Sequence, residues 1–408
     1  MFMIAYQFCT EKDVQRVLFI EYEGLERRGE EPNRATLQKD MSVHANLCDR
    51  MVLPGCDRKL CFSSTTLRRR TPACMKIMAL LLLLPLLLLP LLAESKLSLD
   101  YYQKTCPDFP KIIQQVVTDK QLASPTTAAG VLRVFFHDCV VDGCDASILL
   151  SSNNVNTTER DNDINRSLPG DAFDLVIRAK TALELQCPNI VSCSDILAEA
   201  TRDLITMVGG PFYPVRLGRK DSRESKSADV EGHIARPNMS TTEIINIFAR
   251  EGLNIQEMVA LSGAHTIGFS HCSEFSNRIF SFSQTSQTDP SMNPQYAEGL
   301  RKLCANYTKD TSLAAFNDAI TPGKFDNMYY VNLHRGLGLL ASDQAMASDP
   351  RTKPFVDLYA ANQSAFFDAF SRVMEKVSIF NVKTGNQGEV RRRCDATNGN
   401  PANAIANH

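Results

Sequence analysis

The cysteines of this chain constrain its fold more than any other feature, because a leucine-rich segment divides them into two groups. That segment, MKIMALLLLLPLLLLPLLAESK, begins at Met75 and is interrupted by Pro85 and Pro90. A lysine, a short apolar run and small residues near positions 93–95 indicate a signal peptide over residues 75–95. A membrane anchor fits less well because two prolines break the run. We therefore expect a secreted protein with no membrane segment after cleavage.

Eight cysteines follow the signal peptide. An even number in this position predicts four disulfide bonds, formed in an oxidising compartment. The spacing of the cysteines leaves their pairing open. They are Cys106, Cys139, Cys144, Cys187, Cys193, Cys272, Cys304 and Cys394.

Residues 1–74 precede the signal peptide, although a signal peptide normally begins at the initiator methionine. We expect this extension to be absent from the mature protein, which would consist of a domain over residues 96–394 and a short tail over residues 395–408. The alternative is a zinc site, but the spacing of its candidate ligands fits no paired finger pattern. Those ligands are His44, Cys48, Cys56 and Cys61.

The charge of the chain argues against a nucleic-acid partner. Its formal net charge is −2 at pH 7, and no stripe of basic residues marks a binding surface for phosphates. Five N-x-[ST] sequons agree with a secreted glycoprotein. They lie at Asn156, Asn165, Asn238, Asn306 and Asn362.

Helical periodicity dominates the chain after the signal peptide. It is clear in FPKIIQQVV, AFDLVIRAKTALEL, CSDILAEATRDLI, STTEIINIFAR, IQEMVALS and FFDAFSRVMEKV. Strand signals are few and short. Asn254, with Glu257 three residues later, predicts a capping box at the start of IQEMVALS. We predict a mostly α protein with two helical halves.

The run RVFFHDCVVDGCDAS carries the clearest chemical signal. Arg133, Phe136 and His137 are spaced i, i+3 and i+4, so they share one face of a helix. A base and a cation would therefore point at the same spot. A second histidine, His265, follows in LSGAHTIG.

The limits of that helix are also predicted. Ser124 and Pro125 indicate an N-cap and a first-turn proline, and Asp138 with Cys139 is expected to end the helix. The following tight loop offers oxygen ligands suited to a hard cation such as calcium. These ligands are Asp138, Gly143, Asp145 and Ser147.

From about Leu97 to Cys394 the chain resembles a known family, the class III secretory plant haem peroxidases. It carries both histidine motifs, the cysteine order and the strings FDNMYY and LLASDQ in sequence. The resemblance implies the two-lobed haem peroxidase fold, with haem b between distal and proximal helical halves. It also implies an enzyme that reduces hydrogen peroxide and oxidises small phenolic donors by one-electron steps. We expect a monomer.

The resemblance selects one pairing of the eight cysteines. It implies four disulfide bonds, which join Cys106 to Cys187, Cys139 to Cys144, Cys193 to Cys394, and Cys272 to Cys304.

The resemblance also assigns roles on the distal side. His137 would move a proton between the two peroxide oxygens, and Arg133 would stabilise the developing charge. Asn165 occupies the position of a neutral hydrogen-bond acceptor for His137. A carboxylate in that position would raise the pKa of His137 and so favour its protonated form. Phe136 completes the catalytic set. Because Asn165 would be buried, its sequon is expected to carry no glycan.

On the proximal side the resemblance makes His265 the iron ligand and Asp343 its carboxylate partner. An anionic partner gives the imidazole imidazolate character, which stabilises high-valent iron. The two histidines are thus expected to be tuned in opposite directions.

Two calcium sites follow by family position. The distal ion is expected to bind side chains or carbonyls of Asp138, Val141, Gly143, Asp145 and Ser147. Glu159 would link this site to the distal pocket by hydrogen bonds. The proximal ion is expected to bind Thr266, Asp318, Thr321, Asp326 and the carbonyl of Lys324.

The chain departs from the family where aromatic donors dock. The usual Leu-Pro-x-Pro reads Ile234-Ala235-Arg236-Pro237, so Ala235 replaces a proline beside the haem edge. Donor preference is therefore expected to differ. Asn317 also stands where an apolar residue is usual.

Two competing functions stay open at this point. The first is an intracellular peroxidase of the ascorbate or cytochrome type, which the eight cysteines behind a signal peptide disfavour. The second is a secreted wall-associated protein that has the peroxidase fold but little activity. The sequence leaves both the cell wall and the vacuole open as destinations.

Overall fold

A computed structural model describes residues 97–152 and 157–399, and twelve α-helices form the largest part of the regular structure in these residues. Two three-residue strands and several 3₁₀ turns complete the regular structure of the described part. The signal peptide, the 1–74 extension with its zinc alternative, Asn156 and residues 400–408 lie outside the described residues. The prediction of a mostly α protein is confirmed.

Four helices of the N-terminal half pack against one another. They are α1 (Phe109–Ala123), α2 (Thr127–Val140), α3 (Gly170–Gln186) and α4 (Cys193–Met207). Each buries an apolar stripe of helical period; in α3 the stripe includes Val176, Ala179 and Leu183. Helix α2, which carries both Arg133 and His137, contacts the other three helices of this group.

The C-terminal half contains eight further helices. They are α5 (Thr241–Arg250), α6 (Ile255–Ser262), α7 (Ser276–Phe280), α8 (Pro294–Leu303), α9 (Met328–His334), α10 (Ala341–Met346), α11 (Lys353–Ala361) and α12 (Gln363–Val377). Helix α6 packs against α5, α11 and α12. The predicted capping box is confirmed, because Asn254 Oδ1 accepts from the Glu257 amide at 2.9 Å and Glu257 Oε2 accepts from the Asn254 amide at 2.8 Å.

A short two-stranded antiparallel sheet begins just after the second histidine motif. Strand β1 (Phe269–His271) pairs with β2 (Ala314–Phe316), with Ser270 opposite Ala315. This sheet, α7 and α8 surround a small apolar cluster that includes the Cys272–Cys304 disulfide. A larger core extends through both halves and runs from α1 to α12.

The predicted limits of α2 were wrong at both ends. The helix begins at Thr127, because Ser124 instead ends α1 in an extended conformation and donates its amide to the Lys120 carbonyl. Pro125 and Thr126 form a turn between the two helices, in which the Thr127 amide donates to the Ser124 carbonyl at 3.0 Å. At its other end α2 continues to Val140.

Four disulfide bonds are present in the described residues, and they join the pairs that the resemblance implies. The Cys193–Cys394 bond attaches the C-terminal segment to the start of α4. A buried ion pair reinforces this attachment, since Arg219 contacts Asp195 at 2.8 Å and donates to the Ser378 carbonyl at 3.0 Å.

Candidate active site

His137 lies on α2 with a defined hydrogen-bond partner. It is 5% exposed, and its Nδ1 lies 2.6 Å from Asn165 Oδ1. The amide nitrogen of Asn165 donates to the Glu159 carbonyl at 2.8 Å. Because a carbonyl can only accept, this bond turns Oδ1 toward the histidine, and His137 Nδ1 must donate the proton. The Nε2 atom is then left as a lone-pair acceptor.

The surroundings keep His137 neutral. Burial lowers its pKa, the charge of Arg133 lowers it further, and the Asn165 hydrogen bond offsets only part of this, so that the pKa falls to about 3. A histidine with such a pKa is a free base across the physiological range.

Arg133 lies one helical turn before His137 and is held by the loop that also carries Asn165. Its guanidinium donates to the Ser167 carbonyl at 3.1 Å, to Ser167 Oγ at 3.0 Å and to the Ile164 carbonyl at 3.1 Å. Burial lowers the pKa of Arg133, although the charge of Glu274 opposes this.

Phe136 lies on the same face of α2. Its ring stacks on Phe248 of α5 at a centroid distance of 6.1 Å and meets the His137 ring edge-on at 6.4 Å. The spacing argument therefore places Arg133, Phe136 and His137 together, and Phe248 is the partner that the sequence did not reveal.

His265 is delivered by the 3₁₀ turn Gly263–Thr266 at the end of α6. This turn needs glycine at position 263, because a Cβ there would collide with Tyr330 and Phe366. His265 Nδ1 lies 3.0 and 3.1 Å from the two carboxylate oxygens of Asp343 on α10. Loss of hydration inside the protein lowers the pKa of His265. The charge and hydrogen bond of Asp343 outweigh this effect and raise the pKa above its usual value.

The two histidines share a charged neighbour. The charge of Arg133 lowers the pKa of His137 and also that of His265. The His265 side chain keeps 40% of its surface accessible, whereas its partner Asp343 keeps 4%. An accessible imidazole on a buried carboxylate, within electrostatic range of an arginine that also lies beside a neutral histidine, fits the ligand and distal residues of a haem site.

The loop after α2 is a tight loop with several residues in the left-handed region. Asp142, Gly143 and Ala146 have positive φ angles, and Asp138 accepts the Ala146 amide at 2.9 Å. Burial is the main cause of a raised pKa at Asp138, and the charge of Asp145 raises this pKa further.

Two buried oxygen atoms near this loop lack a hydrogen-bond partner. They are Ser147 Oγ and Glu159 Oε2, and the other carboxylate oxygen of Glu159 accepts from Ser225 Oγ at 3.2 Å. Buried polar atoms without partners are expected where an ion binds. Oxygen donors of this kind suit calcium, although no group of three or more His, Cys, Asp or Glu side chains within the described ranges is arranged to hold a metal.

The expected proximal set also comes together. Thr266 Oγ1 donates to Asp318 at 3.4 Å and to the Lys324 carbonyl at 3.4 Å. Thr321 Oγ1 bridges Asp318 at 3.3 Å and Asp326 at 3.1 Å. These contacts tie the loop directly to the residue after His265.

Comparison with known proteins decides the family. A family model described as Peroxidase matches residues 113–362. The chain is 64% identical to Peroxidase 6 of Arabidopsis thaliana over 310 residues, which cover 76% of this chain and 94% of that protein. It is 60% identical over 302 residues both to Peroxidase 65 and to Peroxidase 41 of the same plant; the alignments cover 74% of this chain and 89% and 91% of those proteins.

The chain belongs to the peroxidase family. The resemblance to class III peroxidases is thereby confirmed, and the chain is an enzyme, a peroxidase. Membership implies a haem cofactor, hydrogen peroxide and a reducing donor as partners. Within residues 97–152 and 157–399, no helix combines the length and apolar character needed to cross a bilayer.

The segment of residues 234–237 contacts both the segment that carries Asn165 and the start of α10. Ala235 is partly buried against the main core. Arg236 pairs with both carboxylate oxygens of Asp163 at 3.0 and 2.9 Å. The Pro237 carbonyl accepts the Ser342 amide at 3.1 Å, which joins this segment to the residue before Asp343.

The sequence did not reveal several polar partners in the peroxidase. Lys383 Nζ contacts Asp145 Oδ2, and Asn332 Nδ2 donates to Asp318 Oδ1 at 2.8 Å. Asn317 accepts from Ser270 Oγ at 2.7 Å beside the two-stranded sheet. Each contact joins residues distant in sequence, and no local pattern marks any of them.

Proposed function

We propose that this peroxidase is a secreted haem b enzyme that reduces hydrogen peroxide and oxidises small phenolic donors in one-electron steps. The observation that carries the proposal is the contrast between two histidines. His137 is paired with the neutral Asn165, whereas His265 is paired with the carboxylate of Asp343. A proton acceptor and an electron-rich metal ligand require these opposite partners.

On the distal side His137 acts as the base. Its free Nε2 takes a proton from one peroxide oxygen and returns it to the other. Arg133 stabilises the negative charge that develops between them. Phe136 forms an apolar boundary beside His137 and is held by its stack on Phe248. Asn165 fixes the ring orientation, and its burial (3% exposed) leaves no room for a glycan.

On the proximal side His265 would hold the iron of the haem through Nε2. The bond from Nδ1 to Asp343 orients the ring and gives it imidazolate character. When bound, the haem supplies the redox centre that accepts electrons from the donor. Ala235 lies in the segment that we assign to donor docking, where the missing proline changes donor preference.

Two calcium ions complete the assignment. The distal ion binds the loop after α2, through Asp138, Val141, Gly143, Asp145 and Ser147, with Glu159 linking this loop to Asn165. The proximal ion binds Thr266, Asp318, Thr321, Lys324 and Asp326. Both loops adjoin a histidine, so each ion rigidifies the backbone that positions a reacting ring.

The mature protein in this proposal spans residues 96–394 with a short tail, carries glycans and acts as a monomer outside the cell or in the wall. The four disulfides support an oxidising destination. The vacuole is the alternative destination, and mass spectrometry of the N-terminus and tail of the native protein distinguishes the processed forms.

Reconstitution with haem tests the function. The protein should acquire a Soret band and oxidise guaiacol with peroxide, and His137→Ala should slow the peroxide reaction by roughly two to four orders of magnitude while the band remains. His233→Ala is a matched control, because that histidine pairs with Glu251 at 3.0 Å outside the pocket. A protein without a Soret band or guaiacol oxidation would instead be a wall-associated binding protein.

A further inference from the structure

Lys383 brings a positive charge into the distal calcium loop. Its ammonium contacts Asp145 Oδ2, while the other oxygen of Asp145 accepts the Ser147 amide at 3.0 Å. Asp145 is 2% exposed and Lys383 is 29% exposed at their side chains. One proposed calcium ligand is therefore already neutralised by a cation that the chain itself supplies.

The segment that carries Lys383 is fixed against the loop by its backbone. The Cys144 amide donates to the Phe380 carbonyl at 3.0 Å, and the Lys220 amide donates to the Lys383 carbonyl at 2.8 Å. Gly143 has a φ of +116°, and a Cβ there would collide with Asn381 and the Phe380 carbonyl. The close approach of residues 380–383 to the loop after α2 places the backbone of Lys383 near that loop.

A second cation near the loop, Arg391, behaves differently. It is fully buried and donates to the carbonyls of Ala146 at 2.7 Å and Asp145 at 3.3 Å. Arg391 is thus locked into the fold by backbone acceptors. Lys383 has a flexible four-carbon stem and reaches solvent, so it alone of these two cations is free to leave when another cation arrives.

We propose that Lys383 is a built-in counter-cation of the distal calcium loop. Its ammonium holds the buried Asp145 carboxylate while calcium is absent, and calcium displaces it on binding. This inference rests on the distal calcium site proposed above. The lysine therefore stabilises the loop when calcium is absent. It also weakens the affinity for calcium, because the ion pair must break before calcium binds.

The variant Lys383→Met separates the two effects. With a chelator present its melting temperature should fall below that of the wild type, because a buried carboxylate loses its partner. In saturating calcium it should melt at or above the wild-type temperature. The calcium Kd, measured by competition with a chromophoric chelator, should drop about three- to five-fold, the change expected from removing one partly exposed ion pair.

Two further variants control for the loss of charge and for the loss of a lysine. Lys383→Arg keeps the cation and should retain the wild-type melting temperature in chelator. Lys302→Met removes a surface lysine that pairs with Glu298 at 3.1 Å on α8, and it should change neither quantity. An unchanged calcium Kd in Lys383→Met would overturn the inference while leaving the calcium site intact. If neither the wild type nor the variant binds calcium at this loop, both proposals fail.

Discussion

Replacing Asn165 by Asp tests why the distal histidine is a base. The neutral amide of Asn165 meets His137 Nδ1 at 2.6 Å, and the pKa of His137 lies at about 3. The same structure shows what a carboxylate does at an equivalent position, because Asp343 raises the pKa of His265 above its usual value. Asn165→Asp should therefore give His137 the character of His265.

The size of the effect follows from the protonated fraction. If the His137 pKa rises only to the ordinary value of about 6.5, about 3% of the rings are neutral at pH 5, compared with nearly all in the wild type. The peroxide reaction should slow about 30-fold at pH 5 and recover to within a few-fold near pH 8. Stopped-flow absorbance of the haem-loaded enzyme at several pH values measures this directly.

The control is Asn165→Ala, which removes the acceptor without adding a charge. It should reduce the rate by a similar factor at every pH, because the ring loses its orientation but keeps its low pKa. The reasoning is refuted if Asn165→Asp keeps the wild-type pH profile below pH 6, or if Asn165→Ala shows the same recovery at alkaline pH.

Three other perturbations have definite expected results. Asp343→Asn should shift the iron reduction potential to a more positive value in a potentiometric titration, because the proximal ring loses its anionic partner; an unchanged potential would count against the ligand assignment. The double change Cys193→Ala with Cys394→Ala opens a loop of 201 residues and should lower the unfolding free energy in urea by about 5 kcal/mol; a loss below 1 kcal/mol would show that the bond does little. Removal of calcium should lower the melting temperature and guaiacol oxidation together, and indifference to a chelator would argue against both ions.

Local sequence patterns predicted what neighbouring residues determine. The spacing of Arg133, Phe136 and His137 placed them on one face of α2, and the Asn254 capping box appeared as predicted. These features depend on contacts within a few residues. The predicted start of α2 was wrong because Ser124 ends the preceding helix, and Pro125 and Thr126 form a turn before α2 begins.

The partners that tune the site required more than local pattern. Asn165 is 28 residues from His137, and Asp343 is 78 residues from His265. Their positions were predicted because the chain resembles a family, not because periodicity or spacing indicates them. Lys383 lies 238 residues from Asp145 and had no such guide. Only the packing of the C-terminal segment on the calcium loop brings the two together.

Buried His137 and the buried carboxylates of Asp138 and Glu159 make the stability of the fold depend on pH in opposite directions. His137 has a folded pKa below its unfolded value, so the unfolded state binds more protons and stability falls as the pH drops from about 6.5 to about 3. Burial raises the pKa values of Asp138 and Glu159, so the folded state binds more protons, and stability falls as the pH rises above their ordinary range. Calcium favours the charged carboxylates and removes the second penalty but not the first. A calcium-loaded peroxidase should therefore gain stability mainly on the alkaline side.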